Sequence, residues 1–203
     1  MDLTRSETYP LRRRAVVAAL LEGAAETLVV AGLGAPAWDV TAAGDGDLRF
    51  PLWGAMGGAV AIGLGLALAQ PDRKVLVITG DGEMLMGVGS LATVALQAPG
   101  NLGIVVLDNE RYGETGMQGT HTAGPVDLAA MAHAAGIGVT ATVRDQSSLE
   151  SAIRQLRGTS GPLFFDVKIR AENLPLVLPP KDGVILRDRF RRALLGDAAA
   201  NAG

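Results

Sequence analysis

The feature that most restricts the fold of this chain is an alternation of short, uninterrupted apolar runs with segments of helical periodicity. The apolar runs read, in chain order, TLVVAG, KVLVITG, LGIVVLDN, GVTATV and PLFFDVKI. Continuous apolar runs are typical of strands buried on both faces, and intervening helices supply the crossovers that parallel strands need. The sequence therefore predicts an α/β fold, a doubly wound parallel sheet with helices on both faces.

Helices are predicted before the first strand, over residues 12–26, and between the strands, over residues 55–70, 83–98, 127–136 and 147–158. In the last of these, Ser147 followed three residues later by Glu150 predicts a capping box. Residues 39–47 and 110–126 are predicted as loops, and the C-terminal region ends in a short amphipathic segment. There is no internal repeat and no linker composition, so we expect residues 1–203 to form a single domain with a short flexible C-terminal tail.

Composition excludes several classes of function. A net charge of −3 and 4% aromatic residues argue against nucleic acid as a partner. The chain has no cysteine, so it has neither a disulfide framework nor a thiolate metal site. Residues 50–71 carry no charge and are long enough to span a bilayer, but a buried helix of an α/β core is favoured because a strand–turn–helix pattern follows directly. With no secretory signal at the N-terminus, we expect a cytoplasmic protein.

The tripeptide Gly-Asp-Gly occurs twice, and its second copy, residues 80–82, lies between a predicted strand and a predicted helix. Glycines let the backbone approach an anion, and a helix start offers free N–H groups to phosphate. The Asp81 carboxylate is a hard oxygen ligand of the kind that Mg²⁺ binds. Asn109 ends the next predicted strand, with 26 residues between it and Gly82, and offers a second oxygen. We interpret these residues as a magnesium and phosphate site.

The first Gly-Asp-Gly, residues 44–46, lacks this context. No strand is predicted before Gly44, and the position at the equivalent distance is Arg73, a cation that cannot bind a metal ion. We interpret Asp45 as part of a solvent-exposed turn.

Together with LWGAMGG at residues 52–58, the second tripeptide and Asn109 resemble the diphosphate-binding (PP) domain of the thiamine diphosphate-dependent enzymes. In that family the segment corresponding to LWGAMGG holds the aminopyrimidine ring of the cofactor. Over residues 10–195 the chain is similar to the branch that contains the sulfopyruvate decarboxylase β subunit and phosphonopyruvate decarboxylase. WGAMGGAVAIGLGLALAQPDRKVLVITGDG and NLGIVVLDNERYGETGMQG carry most of this similarity.

The resemblance implies roles for individual residues. Asp81 and Asn109 would bind Mg²⁺ through their side chains, and Arg111 through its backbone carbonyl. Met56 would wedge between the two cofactor rings, with core packing as the alternative, and the Gly54 carbonyl would accept from the 4′-amino group. Backbone N–H groups at the helix start would bind the diphosphate, and a following segment would close over it. The further cofactor-binding residues so implied are Ala55, Gly80, Gly82, Glu83, Met84, Tyr112, Gly113 and Glu114.

Substrate-side groups are expected in the polar segment 110–126. Gln118 and His121 are the candidate catalytic residues, because each can hydrogen-bond to a reaction intermediate or protonate it. A surface position is the alternative for His121. For the Arg111 side chain, solvent is favoured over an anionic substrate group.

The resemblance also implies a partner. In this family a glutamate from a second, pyrimidine-binding (PYR) domain binds the cofactor's pyrimidine ring, and this chain has room for the PP domain only. We therefore expect a separate PYR-domain subunit, an α2β2 or larger assembly, and exposed apolar surface where that subunit docks. The implied activity is decarboxylation of a small 2-oxoacid with thiamine diphosphate and Mg²⁺.

Three other interpretations remain at this stage. One is a carboligase or carbon–carbon lyase subunit that uses the same cofactor, and another is a non-catalytic scaffold of the same fold. The third, a nucleotide-binding redox module, is disfavoured because GLGAPAWD departs from G-x-G-x-x-G after its second glycine.

Overall fold

The computed structural model describes residues 4–196 and residue 199. In this part of the chain the strands are β1 Leu28–Ala31, β2 Arg49–Pro51, β3 Val75–Gly80, β4 Leu102–Asp108, β5 Arg111–Tyr112, β6 Gln118–Gly119, β7 Val139–Val143 and β8 Leu163–Lys168. The helices are α1 Arg13–Leu21, α2 Ala35–Ala42, α3 Ala59–Ala69, α4 Asp81–Met86, α5 Ser90–Gln97, α6 Leu128–Ala134, α7 Gln146–Gly158 and α8 Gly183–Leu195. Single 3-10 turns lie at Arg5–Thr8, Gly113–Thr115 and His121–Ala123.

Six strands form one parallel sheet in the order β2-β1-β3-β4-β8-β7, and β5 and β6 form a small antiparallel hairpin beside it. The central strands pair over their full length, with Val75 opposite Leu102 and Gly80 opposite Leu107. Because every strand of the main sheet runs in the same direction, all their carboxyl ends lie at one edge. The order reverses between β1 and β3, which is where open α/β sheets bind ligands.

Alternate residues of the strands enter two separate cores. On β4, Val105 and Leu107 pack under α1, α2 and α7, whereas Ile104 and Val106 pack under α3 to α6 and α8. Every residue of β4 is buried, as expected for a strand covered on both faces. The predicted doubly wound fold is confirmed.

The structure differs from the sequence prediction in the first crossover. Residues 35–42 form α2 where a loop was predicted to begin at Asp39, because Gly34 and Pro36 provide a helix start and Asp39 is buried against α1. The short edge strand β2 was also missed, since three residues carry too little periodicity to be recognised.

Three further sequence predictions differ from the structure. The helix predicted over residues 83–98 is two helices, α4 and α5, separated at Gly87–Gly89. The capping box of α7 uses Asp145 and Ser148 instead of Ser147 and Glu150, because the Asp145 side chain accepts from the Ser148 backbone N–H at 2.8 Å. The segment predicted as one polar loop after β4 contains the β5–β6 hairpin.

The uncharged stretch over residues 50–71 contains α3, which has 11 residues. Among the described residues, none of the helices has the length and apolar character needed to cross a membrane.

Candidate functional site

A cavity of about 240 Å³ opens at the carboxyl edge of the sheet, beyond the ends of β1, β3 and β4. It brings together residues that the sequence places far apart. The predicted site residues that line it are Met56, Gly80, Asp81, Gly82, Glu83, Asn109, Arg111, Tyr112, Gly113 and Glu114.

Helix α4 begins at the cavity wall. The N–H groups in the first turn of a helix have no intrahelical acceptor, and in α4 no side chain caps them. Gly82 is required here, because a methyl group at this position would lie 2.3 Å from a ring carbon of Tyr112. The tyrosine ring thus packs directly on the helix start. Met84 was also predicted at this site. Its side chain is buried in the core, so only its backbone is available at the helix start.

Asp81 is almost fully buried beside a second carboxylate. The hydroxyl of Thr120 donates to its Oδ2 at 2.5 Å, and the hydroxyl of Thr122 lies 3.1 Å from the same oxygen and 2.8 Å from Oδ1 of Asp108. Burial and the negative charge of Asp108 raise the pKa of Asp81 to about 8. A cation bound to this carboxylate would reverse that effect, since it stabilises the charged form.

Asn109 and Arg111 form a tight turn in which Oδ1 of Asn109 accepts from the Arg111 backbone N–H at 3.0 Å. An amide oxygen has two lone pairs, so Oδ1 retains one for a cation. The carbonyls of Glu110 and Tyr112 accept from Thr120 and Met117 across the hairpin. Because carbonyls alternate in direction along an antiparallel strand, that of Arg111 faces away from β6.

The Arg111 side chain is not in solvent, and the favoured expectation for it was wrong. It is 6% exposed and lies 3.7 Å from the carboxylate of Glu7. The N-terminal segment, residues 5–9, packs against the start of the hairpin and covers the Arg111 side chain. No local pattern in the sequence indicates this contact.

Behind the cavity, Lys168 is surrounded by acidic side chains. Its ammonium group lies 2.5 Å from Asp108, 3.5 Å from Asp166 and 3.6 Å from Glu110. Burial alone would lower the pKa of Lys168, but Asp166 and Asp108 raise it. Burial, followed by the charge of Asp108, raises the pKa of Asp166. The neighbouring carboxylates therefore favour the charged form of Lys168.

The segment 54–58 projects Met56 over the cavity mouth. Met56 is 40% exposed, so it is not core packing. Its neighbours Ala55 and Gly57 have φ angles of 57° and 88°, and a methyl group added at Gly87 would lie 2.1 Å from the Gly57 carbonyl oxygen. The segment therefore rests directly on the end of α4. Gly54 and Ala55 flank Met56 but do not line the cavity.

Sequence reasoning missed the wall formed by the loop after β1. Leu33, Ala35 and Pro36 line the cavity, and a methyl group at Gly34 would lie 3.0 Å from Oε1 of Glu114. The glycine-rich sequence GLGAP after a strand was a usable signal for this wall. The threonines that bind Asp81 gave no such signal, since their role arises only from the folded hairpin.

The two predicted catalytic residues lie apart from the cavity. Gln118 is exposed and hydrogen-bonded to Thr115, with its amide donating to the Thr115 carbonyl at 2.7 Å. His121 is exposed in a 3-10 turn. Neither lines the cavity, so a catalytic role for either stays a prediction.

Asp45, in the first Gly-Asp-Gly, lies in an exposed loop between α2 and β2, so no strand directly precedes it. It accepts hydrogen bonds from both terminal nitrogens of Arg189, each at 2.6 Å, and so ties this loop to α8. The pairing with Arg189 lowers the pKa of Asp45.

The chain is similar to several known proteins. The family described as thiamine pyrophosphate enzyme, C-terminal TPP binding domain, matches residues 47–167. The chain is 38% identical over 171 residues to the sulfopyruvate decarboxylase subunit beta of Methanothermobacter thermautotrophicus, covering 84% of this chain and 89% of that protein. It is 38% identical to the phosphonopyruvate decarboxylase of Streptomyces viridochromogenes, covering 87% of this chain but only 44% of that protein.

Among solved structures, the benzoylformate decarboxylase of Polynucleobacter necessarius has the same fold, with a TM-score of 0.64 at 24% identity. The match covers 87% of this chain and 36% of that one.

Proposed function

This chain belongs to the thiamine pyrophosphate enzyme family, and we propose that it is the diphosphate- and Mg²⁺-binding subunit of a two-subunit 2-oxoacid decarboxylase. The observation that carries the proposal is the convergence of Asp81, Asn109 and an uncapped helix start on one cavity. Its relatives include decarboxylases whose names specify a beta subunit.

The residues at the cavity fit a magnesium diphosphate. Asp81 and Asn109 offer oxygen ligands, and Mg²⁺ is bound in proteins by one or two such groups together with phosphate oxygens. The Arg111 carbonyl, facing away from the hairpin, is the third proposed ligand. The first turn of α4 offers N–H groups to the diphosphate, and Gly82 leaves room for the Tyr112 ring beside that turn.

In the bound state, Tyr112, Gly113 and Glu114 would close over the diphosphate from the hairpin side. Met56, exposed at the mouth, would contact the cofactor rings, and the Gly54 carbonyl would accept from the aminopyrimidine. When bound, thiamine diphosphate supplies the nucleophilic carbon and the electron sink for loss of carbon dioxide from a 2-oxoacid. The chain's own contribution is to bind, orient and shield that group.

A partner subunit is supported by an apolar surface on α3, α4 and α5. Ile62, Leu68, Met86 and Leu96 are exposed there, and neither α3 nor α5 contains a charged residue. Exposed apolar surface of this kind marks protein interfaces. We propose that a PYR-domain subunit docks on this surface, giving a heterotetramer or larger assembly.

The experiment purifies the chain with its native partner and measures carbon dioxide release from a panel of small 2-oxoacids. Asp81→Ala should abolish both activity and Mg²⁺-dependent binding of thiamine diphosphate. Asp45→Ala, in the other Gly-Asp-Gly, is the matched control and should keep both. Retention of cofactor binding in Asp81→Ala would contradict the proposed site. Cofactor binding with carbon–carbon bond formation and no carbon dioxide release would indicate a carboligase.

A further inference from the structure

The residue between the two proposed metal ligands Asn109 and Arg111 has an unusual backbone. Glu110 has a φ of 61°, in the left-handed region that residues with a Cβ rarely adopt. Such a conformation persists only when the surroundings hold it, and it is found at functional sites more often than elsewhere. At this point it turns the chain so that Asn109 and the Arg111 carbonyl lie on either side of one bend.

The Glu110 side chain is fully buried and has several cationic or hydroxyl partners. Arg5 binds both carboxylate oxygens, with Nε at 2.8 Å from Oε2 and Nη2 at 2.7 Å from Oε1. The Tyr9 hydroxyl donates to Oε1 at 2.9 Å, and Lys168 lies 3.6 Å away. A bidentate arginine–carboxylate pair fixes geometry as well as charge.

The N-terminal segment also contacts a neighbour of Asp81, the other proposed metal ligand. Arg5 donates to the Thr122 carbonyl at 2.7 Å, and Thr122 is one of the two hydroxyls at Asp81. The segment itself is fastened to the chain after β8, where Ala171 donates to the Ser6 carbonyl at 2.9 Å and Arg170 to the Leu11 carbonyl at 2.8 Å. One arginine thus contacts both Glu110, between two of the proposed ligands, and Thr122, a neighbour of the third.

We infer that Glu110 is a positioning residue for the cation, and that Arg5 and Tyr9 act as a clamp holding its side chain so that the Asn109–Arg111 turn keeps its ligand geometry. The inference rests on the proposed function, since the cation is the one assigned there. It assigns the N-terminal segment a role in cofactor affinity in addition to its packing. Loss of a group that orients metal ligands typically weakens metal binding about 10- to 100-fold.

The test uses the full chain purified with its native partner and titrates Mg²⁺ at saturating thiamine diphosphate by calorimetry. Glu110→Ala and Arg5→Met should weaken Mg²⁺ binding about 10- to 100-fold. Glu110→Gln, which keeps the shape and the acceptor oxygen, should recover most of the affinity. The matched control is Arg12→Met, because Arg12 follows the N-terminal segment and pairs with Glu172 in the chain after β8 instead of with the hairpin.

A second measurement separates positioning from folding. Amide hydrogen exchange of the cofactor-free chain should be faster over residues 109–119 in Arg5→Met and unchanged over the sheet. Glu110→Gly distinguishes the clamp from the backbone alone, since glycine adopts a positive φ without strain. It should bind Mg²⁺ as poorly as Arg5→Met.

The outcomes are distinct. If wild type binds neither Mg²⁺ nor thiamine diphosphate, the proposed function fails and this inference fails with it. If wild type binds both, and Glu110→Ala and Arg5→Met match it, the proposed function stands and the positioning role is wrong. Wild-type affinity in Glu110→Gly would overturn the clamp, because the turn would then need no side chain to hold it.

Discussion

At the scale of single residues, the proposed site depends on local environments that change the hydrogen bonding and the pKa of its side chains. Asp81 is a turn residue in the sequence, but in the fold two threonine hydroxyls and a second carboxylate surround it. Its pKa is raised because burial and Asp108 disfavour its charge, so the cofactor-free fold favours the protonated carboxyl group. If Mg²⁺ binds to Asp81 as proposed, its binding is coupled to release of this proton.

This coupling predicts a pH dependence. The pKa of Asp81 is 3.8 in the unfolded chain and about 8 when folded, so its stabilising contribution is complete below about pH 4 and is lost as the pH rises through about 8. The free energy of unfolding of the cofactor-free chain should fall over this range, and Mg²⁺ affinity should rise. Urea unfolding of wild type and Asp81→Asn at a series of pH values checks this. Parallel pH profiles for the two proteins would contradict it.

Gly82 gives a second prediction at this scale. In Gly82→Ala the new methyl group would meet the Tyr112 ring at 2.3 Å, so the ring must leave the helix start. We expect thiamine diphosphate affinity to fall at least 10-fold, with a small change in stability because the hairpin is at the surface. Gly158→Ala, in open space on α7 and away from the proposed docking surface, is the control for a glycine-to-alanine change in a helix. Equal affinities in the two variants would show that Tyr112 does not need this position.

The sequence identified the site residues whose position follows from a local pattern of strand and helix. Asp81 and Asn109 follow strands, so their meeting at one sheet edge is a consequence of parallel topology. Thr120 and Glu110 could not be found in this way. Their roles depend on how the hairpin folds back and on which residues of the N-terminal segment reach it.

At the scale of elements, the strands were predictable because each is a continuous apolar run, whereas several connections were not. Helix α2 begins at a glycine-proline start that resembles a turn, and the break between α4 and α5 depends on the close approach of Gly57 and Gly87. Helix α8 shows how a remote element is attached. Phe190 packs against Phe50 with ring centroids 5.5 Å apart, and Arg189 binds Asp45.

The attachment of α8 can be tested by truncating its buried aromatic residue. Phe190→Ala should lower the free energy of unfolding by about 3 kcal/mol, at the low end of the usual range for buried phenylalanine. Val184→Ala, on an exposed position of the same helix, should change it by less than about 0.5 kcal/mol. Urea unfolding measures both. A similar small loss in the two variants would mean that α8 is not part of the cooperative fold.

At the scale of the whole molecule, the charged and apolar surfaces have separate positions. The proposed cation site lies at the carboxyl edge of the sheet, and the uncharged surface of α3 and α5 lies on the layer beside it. The sequence predicted such a surface from the need for a partner. Its position was not predictable, because α3 is apolar on all sides and only the fold determines which residues remain exposed.

Assembly is the property to test at this scale. Leu68→Lys should leave the fold intact, because Leu68 is exposed in the single chain, and should prevent association with the partner by placing a charge in an apolar interface. Val184→Lys, equally exposed on α8, is the control and should assemble normally. Analytical ultracentrifugation of mixtures with the partner measures the outcome. Normal assembly of Leu68→Lys would place the interface elsewhere.

The left-handed turn at Glu110 also has an evolutionary consequence. Glycine adopts this conformation freely, but a homologue with glycine at the equivalent position has no carboxylate for an arginine and a tyrosine to hold, so other contacts must fix its turn. Selection on the residues equivalent to Arg5 and Tyr9 should then relax. An alignment should show these three positions changing together, with arginine and tyrosine retained in lineages that keep the glutamate and lost in those that replace it with glycine.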